Sequence, residues 1–521
     1  MKSHKDINQI VYVIYFLLAL IGSYLAFHAM SWGPWAFSDS SAYISAARNI
    51  ASGNGLVIYH STGAAKALIE FPPFFPVMLS IFGGNKLDYI NTIRWFNIFL
   101  FSSSIFLFSQ ILYTATRKHY LSMIATLFFI SSPQIVTTYI SAMSEPLFLF
   151  LLLLSIFLFQ HVYQKDKKYQ CFWFFIVSSL LPMTRYAGVL FVFVFGISLL
   201  FGSRKAQLII RIRNTILYYL IAFLPVGLWG LSLFYKYNIF GGKRFSFDIT
   251  IFHDFVRSII EEFIVIKLWI PYVEIYLDTF TESLIISVFS ILLISLIGWT
   301  IKQFLFSNIV NELSKRLFFF LIILLISGYI FFIGLTHSIT IPQIDIGERM
   351  MIPIYPLCIL IFFLSIDALE KKSGKNNFIT IFIIALSFIG LRYNSLRSIS
   401  YIKDMSANGY GFTSRAYQQS GLINEILKIP NERVMISNSS GFVLFYSNRY
   451  PIQVDNFPNY SYGSGNSYGE KPFRENQSAL IILFSDFSNY YGEESGNLLH
   501  SLTNTLNTKY LDAEGGIYYY Q

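Results

Sequence analysis

The chain has 521 residues, of which 54% are hydrophobic, 18% aromatic and only 13% charged, against about 25% charged in an ordinary globular domain. A mean hydropathy of +0.53 and many apolar runs near the ~20 residues that cross a bilayer exclude a soluble enzyme, a collagen-like chain and a disordered polymer. The formal charge of +9 is no nucleic-acid signal, because Lys and Arg gather at the ends of apolar runs, and the only cysteines, Cys171 and Cys358, lie in or beside those runs instead of framing a disulfide scaffold.

Taken in chain order, eleven segments read as membrane spans, at approximately 9–30, 90–114, 120–137, 145–163, 170–182, 187–202, 214–237, 281–300, 317–337, 351–369 and 377–391. The first follows Lys2 and Lys5, and its apolar run is too long for a signal-peptide core, so it reads as an uncleaved anchor. With the N-terminus in the cytoplasm, the inside loops carry nearly twice as many Lys and Arg as the outside loops in less than half the length, which is the charge bias of cytoplasmic loops. An odd number of spans then leaves 392–521 outside. The expected organisation is a polytopic α-helical membrane domain over 1–391, with outer loops at 31–89 and 239–280, and a small extracytoplasmic α/β domain over 392–521.

The first outer loop holds Ser38-Asp39-Ser40-Ser41-Ala42-Tyr43. Tyr43, Ala46, Ala47 and Ile50 recur at helical spacing, which predicts an amphipathic helix lying on the membrane surface with Ser38 or Asp39 as its cap. A carboxylate just outside the lipid boundary is also placed to deprotonate a hydroxyl where lipid-borne and water-borne substrates meet. Further on, Lys66 and Glu70 precede the stiff turn Phe71-Pro72-Pro73-Phe74-Phe75-Pro76. Glu145-Pro146 opens the fourth span, where an acid suits the helix dipole and is also able to grip an acceptor. Arg185 marks the next outer turn and His337 ends the ninth span. Asp345, Glu348 and Arg349 then lead into Pro353-Ile354-Tyr355-Pro356. A guanidinium at a helix mouth suits bidentate phosphate contact; an ion pair with Glu348 or Asp345 is its plainer use.

In the tail, helical periodicity near Thr413–Leu427 and strand-like runs at Val434–Ser437 and Ala479–Phe484 flank a Gly/Ser/Tyr/Asn-rich loop at Asn459–Gly469. Nucleotide loops and zinc-ligand pairs have no sequence support. Nothing fixes a divalent metal, and no cofactor is expected.

The order of these features resembles the GT-C superfamily of integral-membrane glycosyltransferases, whose relatives include protein O-mannosyltransferases, lipid A aminoarabinose transferases and other bacterial transferases of lipopolysaccharide sugars. The residues that carry the resemblance are Asp39 before Ala42-Tyr43, Pro72-Pro73-Phe74-Phe75-Pro76, Ser144-Glu145-Pro146, Thr184-Arg185-Tyr186, and Glu348-Arg349 before Pro353-Ile354-Tyr355-Pro356. The resemblance implies a polyprenyl-phosphate-linked sugar donor and an inverting transfer outside the plasma or inner membrane to a glycolipid, glycan or protein acceptor. It makes Asp39 the catalytic base and gives the leaving phosphate to Arg349. Glu145 would contact acceptor or sugar, with Tyr43, Arg185, Glu70, Glu348 and His337 around the pocket. Some relatives carry a basic residue before the Pro-Pro pair; Phe71 stands there, so Lys66 is the substitute phosphate ligand. The rival readings are a transporter or flippase of lipid-linked saccharides and an O-antigen polymerase or ligase. A transporter would place ionisable groups at mid-membrane, and a polymerase or ligase would use the late loop with Lys243, Arg244, His253 and Arg257.

Overall fold

The computed structural model describes residues 2–84, 88–165, 168–201, 207–237, 244–245, 250–269, 298, 313–341, 343–373, 378–453, 479–484 and 506–519. Among them, six helices are long and apolar enough to cross a membrane, or seven if one bent pair counts as a single span.

Helix α1 (Lys2–Ala29) packs along α4 (Ile90–Thr116) through small residues. A Cβ on Gly22 would lie 2.2 Å from Ile105 Cδ1, and the Ser23 and Ser102 hydroxyls meet at 2.5 Å. Close backbone approach and hydroxyl pairing replace the hydrophobic drive that lipid removes. The stretch expected as one span at 120–137 is instead two helices, α5 (His119–Ser131) and α6 (Pro133–Tyr139), bent by 62°. Pro133 lacks the N–H that would continue α5, and it sits comfortably at the first position of a new helix.

Helix α7 (Glu145–Lys165) runs through the middle of the bundle. The spans expected at 170–182 and 187–202 are α8 (Lys168–Thr184) and α9 (Gly188–Phe201), of 17 and 14 residues, shorter than a full crossing. They meet in a turn so tight that a Cβ on Gly188 would strike the Leu181 carbonyl at 2.5 Å. Helix α10 (Leu208–Tyr237) presents Leu220, Leu224, Leu228 and Leu231 outward, a face that only lipid makes comfortable. Within the expected outer loop 239–280 lies α11 (Ile251–Lys267), packed on α12 (Leu313–Ile339). Of the expected span at 281–300, all but Gly298 falls outside the described residues.

A short helix α13 (Glu348–Met351) leads through a 3-10 turn into α14 (Tyr355–Ser373) as one apolar span. The stretch expected to end near 391 belongs to α15 (Phe378–Asn408). Arg392, Arg397, Lys403 and Asp404 end its apolar character, but nothing breaks the helix before Gly409, whose positive φ of 63° stops it. The boundary expected between 391 and 392 therefore lies inside a helix. Hydropathy falls near Arg392 while the backbone stays helical to Asn408.

Beyond α15, the helix expected over Thr413–Leu427 is two short pieces, α16 (Arg415–Gln419) and α17 (Leu422–Leu427), parted at Ser420-Gly421. A mixed five-stranded sheet follows, ordered β6-β5-β7-β9-β8. Its strands β5 (Met435–Ser437), β6 (Ile452–Gln453) and β7 (Leu480–Phe484) are parallel, and β8 (Asn507–Leu511) and β9 (Gly515–Tyr519) antiparallel. Leu422, Ile426, Met435, Phe442, Ile482 and Ile517 form a core under helix α18 (Ser440–Ser447). The 459–469 loop lies outside the described residues.

This layer rests on α2 (Ser38–Ala51). Arg48 donates to the Phe445 carbonyl at 2.8 Å, and Ser41 donates to that of Gly441 at 2.6 Å. Helix α2 is consequently buried by protein along most of its length, not the half-exposed amphipathic helix expected. Its periodicity reports a face buried inside the protein, where Tyr43 packs on Phe71 and Phe75 and Ala46 joins Ile58, Leu68 and Leu444.

Candidate active site

The approach to Asp39 is clamped from two sides. The Trp35 N–H donates to the Ile140 carbonyl at 2.8 Å, and the Ala142 N–H returns a bond to the Trp35 carbonyl at 2.7 Å. On the other edge, the Phe412 N–H donates to the Ala36 carbonyl at 2.9 Å. Gly411 makes this possible: its φ is +62° and a Cβ would sit 2.2 Å from the Ala36 oxygen. Asn97 on α4 donates to the Ser141 carbonyl at 2.7 Å, fixing the α6–α7 connection in turn. Residues 35–37 are thus held between the loop before Glu145 and the segment that follows α15.

Phe37 takes the extended N-cap position of α2, and its N–H donates to Ser40 Oγ at 3.0 Å. Ser40 therefore does the work expected of Ser38 or Asp39, and the Asp39 carboxylate is not spent on a cap. Arg349 Nη1 donates to Asp39 Oδ2 at 2.7 Å, across 310 residues of sequence.

Arg349 is also tied inward, through Nε, to Glu145 Oε1, and the same carboxylate oxygen pairs with Arg185 Nη1. Side-chain exposure grades this chain of charges: Glu145 is 2% exposed, Arg185 11%, Asp39 34% and Arg349 44%. Glu145 and Arg185 form a buried pair whose disruption from one side costs several kcal/mol; Asp39 and Arg349 form the wetted end, where exchange with an incoming ion is cheap. Arg349 sits in the first turn of α13, positioned by the extended Gly347 before it. Tyr329 on α12 donates to the Met350 carbonyl at 2.6 Å and steadies that turn.

Tyr43 lies behind Glu145. Its hydroxyl is 3.3 Å from Ser144 Oγ, and its ring packs on Phe71 and Phe75 at centroid distances of 4.7 and 5.1 Å. Burial first, and the Glu145 charge second, push the Tyr43 phenol well above its ordinary value. It stays protonated and serves as a hydrogen-bonding support.

A cavity of about 210 Å3 opens beside these charges. It is lined by Glu145, Glu348 and Arg349, by Trp35 and Phe37, and by Gln134, Thr137, Thr138 and Ser141 from and after the bent third segment. The structure so brings Asp39, Tyr43, Glu145, Arg185, Glu348 and Arg349 together. It places the other three elsewhere. Lys66 and Glu70 pair with one another at 3.0 Å on and after the exposed hairpin of β1 (Val57–Tyr59) and β2 (Ala65–Ala67). His337 is buried at the end of α12 with Nδ1 2.7 Å from the Ile344 carbonyl, which ties the segment before Arg349 to that helix end. In the late loop, Arg257 pairs with Glu261 at 3.0 Å and His253 with Asp254 at 3.6 Å. Among the described residues no group of three or more His, Cys, Asp or Glu stands ready for a metal ion.

Trp35, Phe37, Gln134 and Thr138 were not singled out from the sequence. The one available signal was Pro133 inside an apolar run, which marks a break and hence a wall facing inward. Glu262 was missed as well. It is fully buried on α11, and neither carboxylate oxygen has a hydrogen-bond partner among the described residues. Burial pushes its carboxyl up to about 8.

A polytopic helical bundle, a long first loop clamped at its tip and a cavity beside charged residues make up a fold whose solved neighbours are GT-C glycosyltransferases. Two solved structures share it over 97% of this chain. One is ArnT from Cupriavidus metallidurans bound to undecaprenyl phosphate, at a TM-score of 0.52 and 11% identity with 97% of that chain covered. The other is the Archaeoglobus fulgidus oligosaccharyltransferase in the apo form, at 0.55 and 11% with 74% covered. At that identity the likeness is one of fold. No family model matches the chain, and no curated protein matches it in sequence.

Proposed function

We propose that the chain is a membrane glycosyltransferase that moves a sugar, with inversion, from a polyprenyl-phosphate-linked donor to an extracytoplasmic glycolipid, glycan or protein acceptor. The observation that carries this reading is the contact of Asp39 with Arg349 at the edge of the cavity, backed by the buried Glu145–Arg185 pair. The shared fold with ArnT, solved with undecaprenyl phosphate bound, supports the donor class. The Lys/Arg bias of the loops supports an N-terminus in the cytoplasm, with the cavity and the 409–519 layer on the far side.

Arg349 holds both carboxylates in the resting arrangement. A donor phosphate reaching the cavity displaces Asp39 from Nη1, while Nε stays anchored on Glu145. Phosphate arrival thereby frees the base. Asp39 accepts the proton of the acceptor hydroxyl, whose oxygen attacks the anomeric carbon on the face opposite the phosphate. The anomeric C–O bond breaks with its electron pair on the lipid phosphate, and Arg349 stabilises the charge that leaves. Lys66, paired on the hairpin, has no part in this sequence.

The test is mass spectrometry of envelope glycans and glycolipids from cells with and without the gene. Loss of one sugar, restored by the wild-type chain and not by Asp39→Asn, is the expected result. Unchanged glycans together with lost solute uptake would overturn the enzyme in favour of a transporter.

A further inference from the structure

We infer that Gly441, in the first turn of α18, is a positioning residue for Asp39, so that the outer layer sets the aim of the base. The inference rests on the glycosyltransferase reading and adds to it a residue that acts through another instead of touching the reacting atoms. Gly441 takes the second position of an eight-residue helix. Glycine weakens a helix relative to alanine, and no positive φ calls for one here. Space does. A Cβ on Gly441 would lie 3.0 Å from Ser38 Oγ, 3.1 Å from Ser38 Cα and 3.3 Å from Phe412 Cζ, closer than non-bonded atoms comfortably stand. Ser38 Cα is backbone and has no rotamer by which to step aside. It moves only with the chain, and the next residue of that chain is Asp39.

The surface that presses on Ser38 is itself fixed. Tyr446 Oη donates to the Phe412 carbonyl at 2.8 Å, and the Phe412 ring packs on Phe442 and Phe445 at centroid distances of 5.4 and 6.0 Å. Helix α18 and the segment at Gly411-Phe412 therefore make one piece. That piece is bonded to the chain on both sides of Asp39: the Phe412 N–H reaches the Ala36 carbonyl, and Ser41 Oγ reaches that of Gly441 across 400 residues of sequence. Ser38, Ser41 and Arg48 recur at helical spacing along the face that meets α18. Asp39 is turned roughly 100° from Ser38 about the α2 axis and meets Arg349 at 2.7 Å. Arg349 belongs to α13 and is anchored on Glu145, so it does not follow α18. A side chain at 441 would push the base while leaving its cation in place.

The experiment compares Gly441→Ala, Gly441→Val and Ser440→Ala with the wild-type chain in two measurements. The first is the rate at which the missing sugar returns to envelope glycans when each chain is induced, at equal amount, in cells lacking the gene, followed by mass spectrometry. The second is undecaprenyl phosphate binding by the full chain in nanodiscs. Gly441→Ala should slow transfer roughly 3- to 10-fold and Gly441→Val roughly 100-fold, the latter being the loss that a misplacement of about 1 Å brings. Both should bind undecaprenyl phosphate at least as tightly as wild type, because Arg349 stays put and Asp39 competes less for Nη1; that binding also reports that they are folded. Ser440→Ala, on the same turn, removes a hydroxyl with no hydrogen-bond partner among the described residues and should leave both measurements unchanged. Wild-type transfer in both Gly441 variants overturns the positioning role and leaves the enzyme reading standing. Transfer and undecaprenyl phosphate binding that fall together make Gly441 a packing residue and overturn it as well. Envelope glycans that do not depend on the gene overturn the enzyme reading and, with it, any base for Gly441 to aim.

Discussion

One apolar span, Glu348–Lys371, carries a charge cluster at each end, and the two differ in what they enclose. At one end Arg349 joins Asp39 and Glu145. At the other, roughly 27 Å away along the helix, Lys118 reaches Asp367 at 2.8 Å and also pairs with Glu370; Lys371 closes on Asp367, and Tyr120 donates to Glu370. Both ends alternate cations with acids. At the far cluster Asp367 and Lys371 border a gap of about 10 Å3, the room of one water at most, whereas the near one borders about 210 Å3. Alternating charge by itself is a clasp. It becomes a site where one pair is half-exposed and borders empty volume.

The sharpest way to break this contrast is to remove one member at each end. Asp39→Asn should lower transfer by about 100- to 10,000-fold, the range of a lost general base, with thermal unfolding almost unmoved because its pair is half-exposed. Lys118→Met should do the reverse. It leaves two acids without their shared cation and lowers stability by several kcal/mol, while each folded molecule still transfers sugar. Equal losses of activity from the two variants would erase the distinction between clasp and site.

Within the near cluster the grading of exposure makes a second contrast. Glu145→Gln should cost about 3–5 kcal/mol in chemical denaturation, because the buried Arg185 guanidinium keeps its charge and loses its counter-ion. Adding Arg185→Met should recover part of that loss, and a double-mutant cycle in denaturant measures the coupling. Strict additivity would mean that the two are not a unit. Arg349→Lys, at the wetted end, keeps the charge and loses the fork. Donor-phosphate affinity should fall roughly 10- to 100-fold, the worth of one charge-assisted hydrogen bond, with little change in stability.

These contrasts also mark what was legible in the residues. Asp39, Glu145, Arg185 and Arg349 could be named because charged groups at the ends of apolar helices are few, and each pays for desolvation only where it has a use. Their mutual pairing was not legible, since ion pairs across 310 residues follow from packing and not from spacing. The Lys66–Glu70 pair is the opposite case: the two are four apart, exposed, and satisfy one another locally. Hydropathy located the apolar runs but not the break at Pro133, nor the charged half of α15, because it weighs side chains and is blind to backbone hydrogen bonding. The cavity lining contributed by Gln134, Thr137 and Thr138 was hidden with the bend, since these residues border it only after the helix turns.

Glu262 offers the finest of these contrasts, because it is a buried acid with no cation, unlike Glu145. Burial raises its carboxyl from 4.5 to about 8, so between those values the folded chain holds a proton that the unfolded chain has released. The unfolded state then binds fewer protons, and stability falls as pH climbs through that window, levelling off above about 8. Glu262→Gln copies the protonated form and should remove this slope, with no effect below pH 4.5 and a gain in stability at pH 8 and above. Glu145→Gln should lose stability near neutral pH, where Glu145 is charged and paired. Denaturation midpoints of both variants between pH 5 and 9 decide the matter: a Glu262→Gln profile parallel to wild type would mean that α11 does not seal this carboxylate against α12, and that water reaches it.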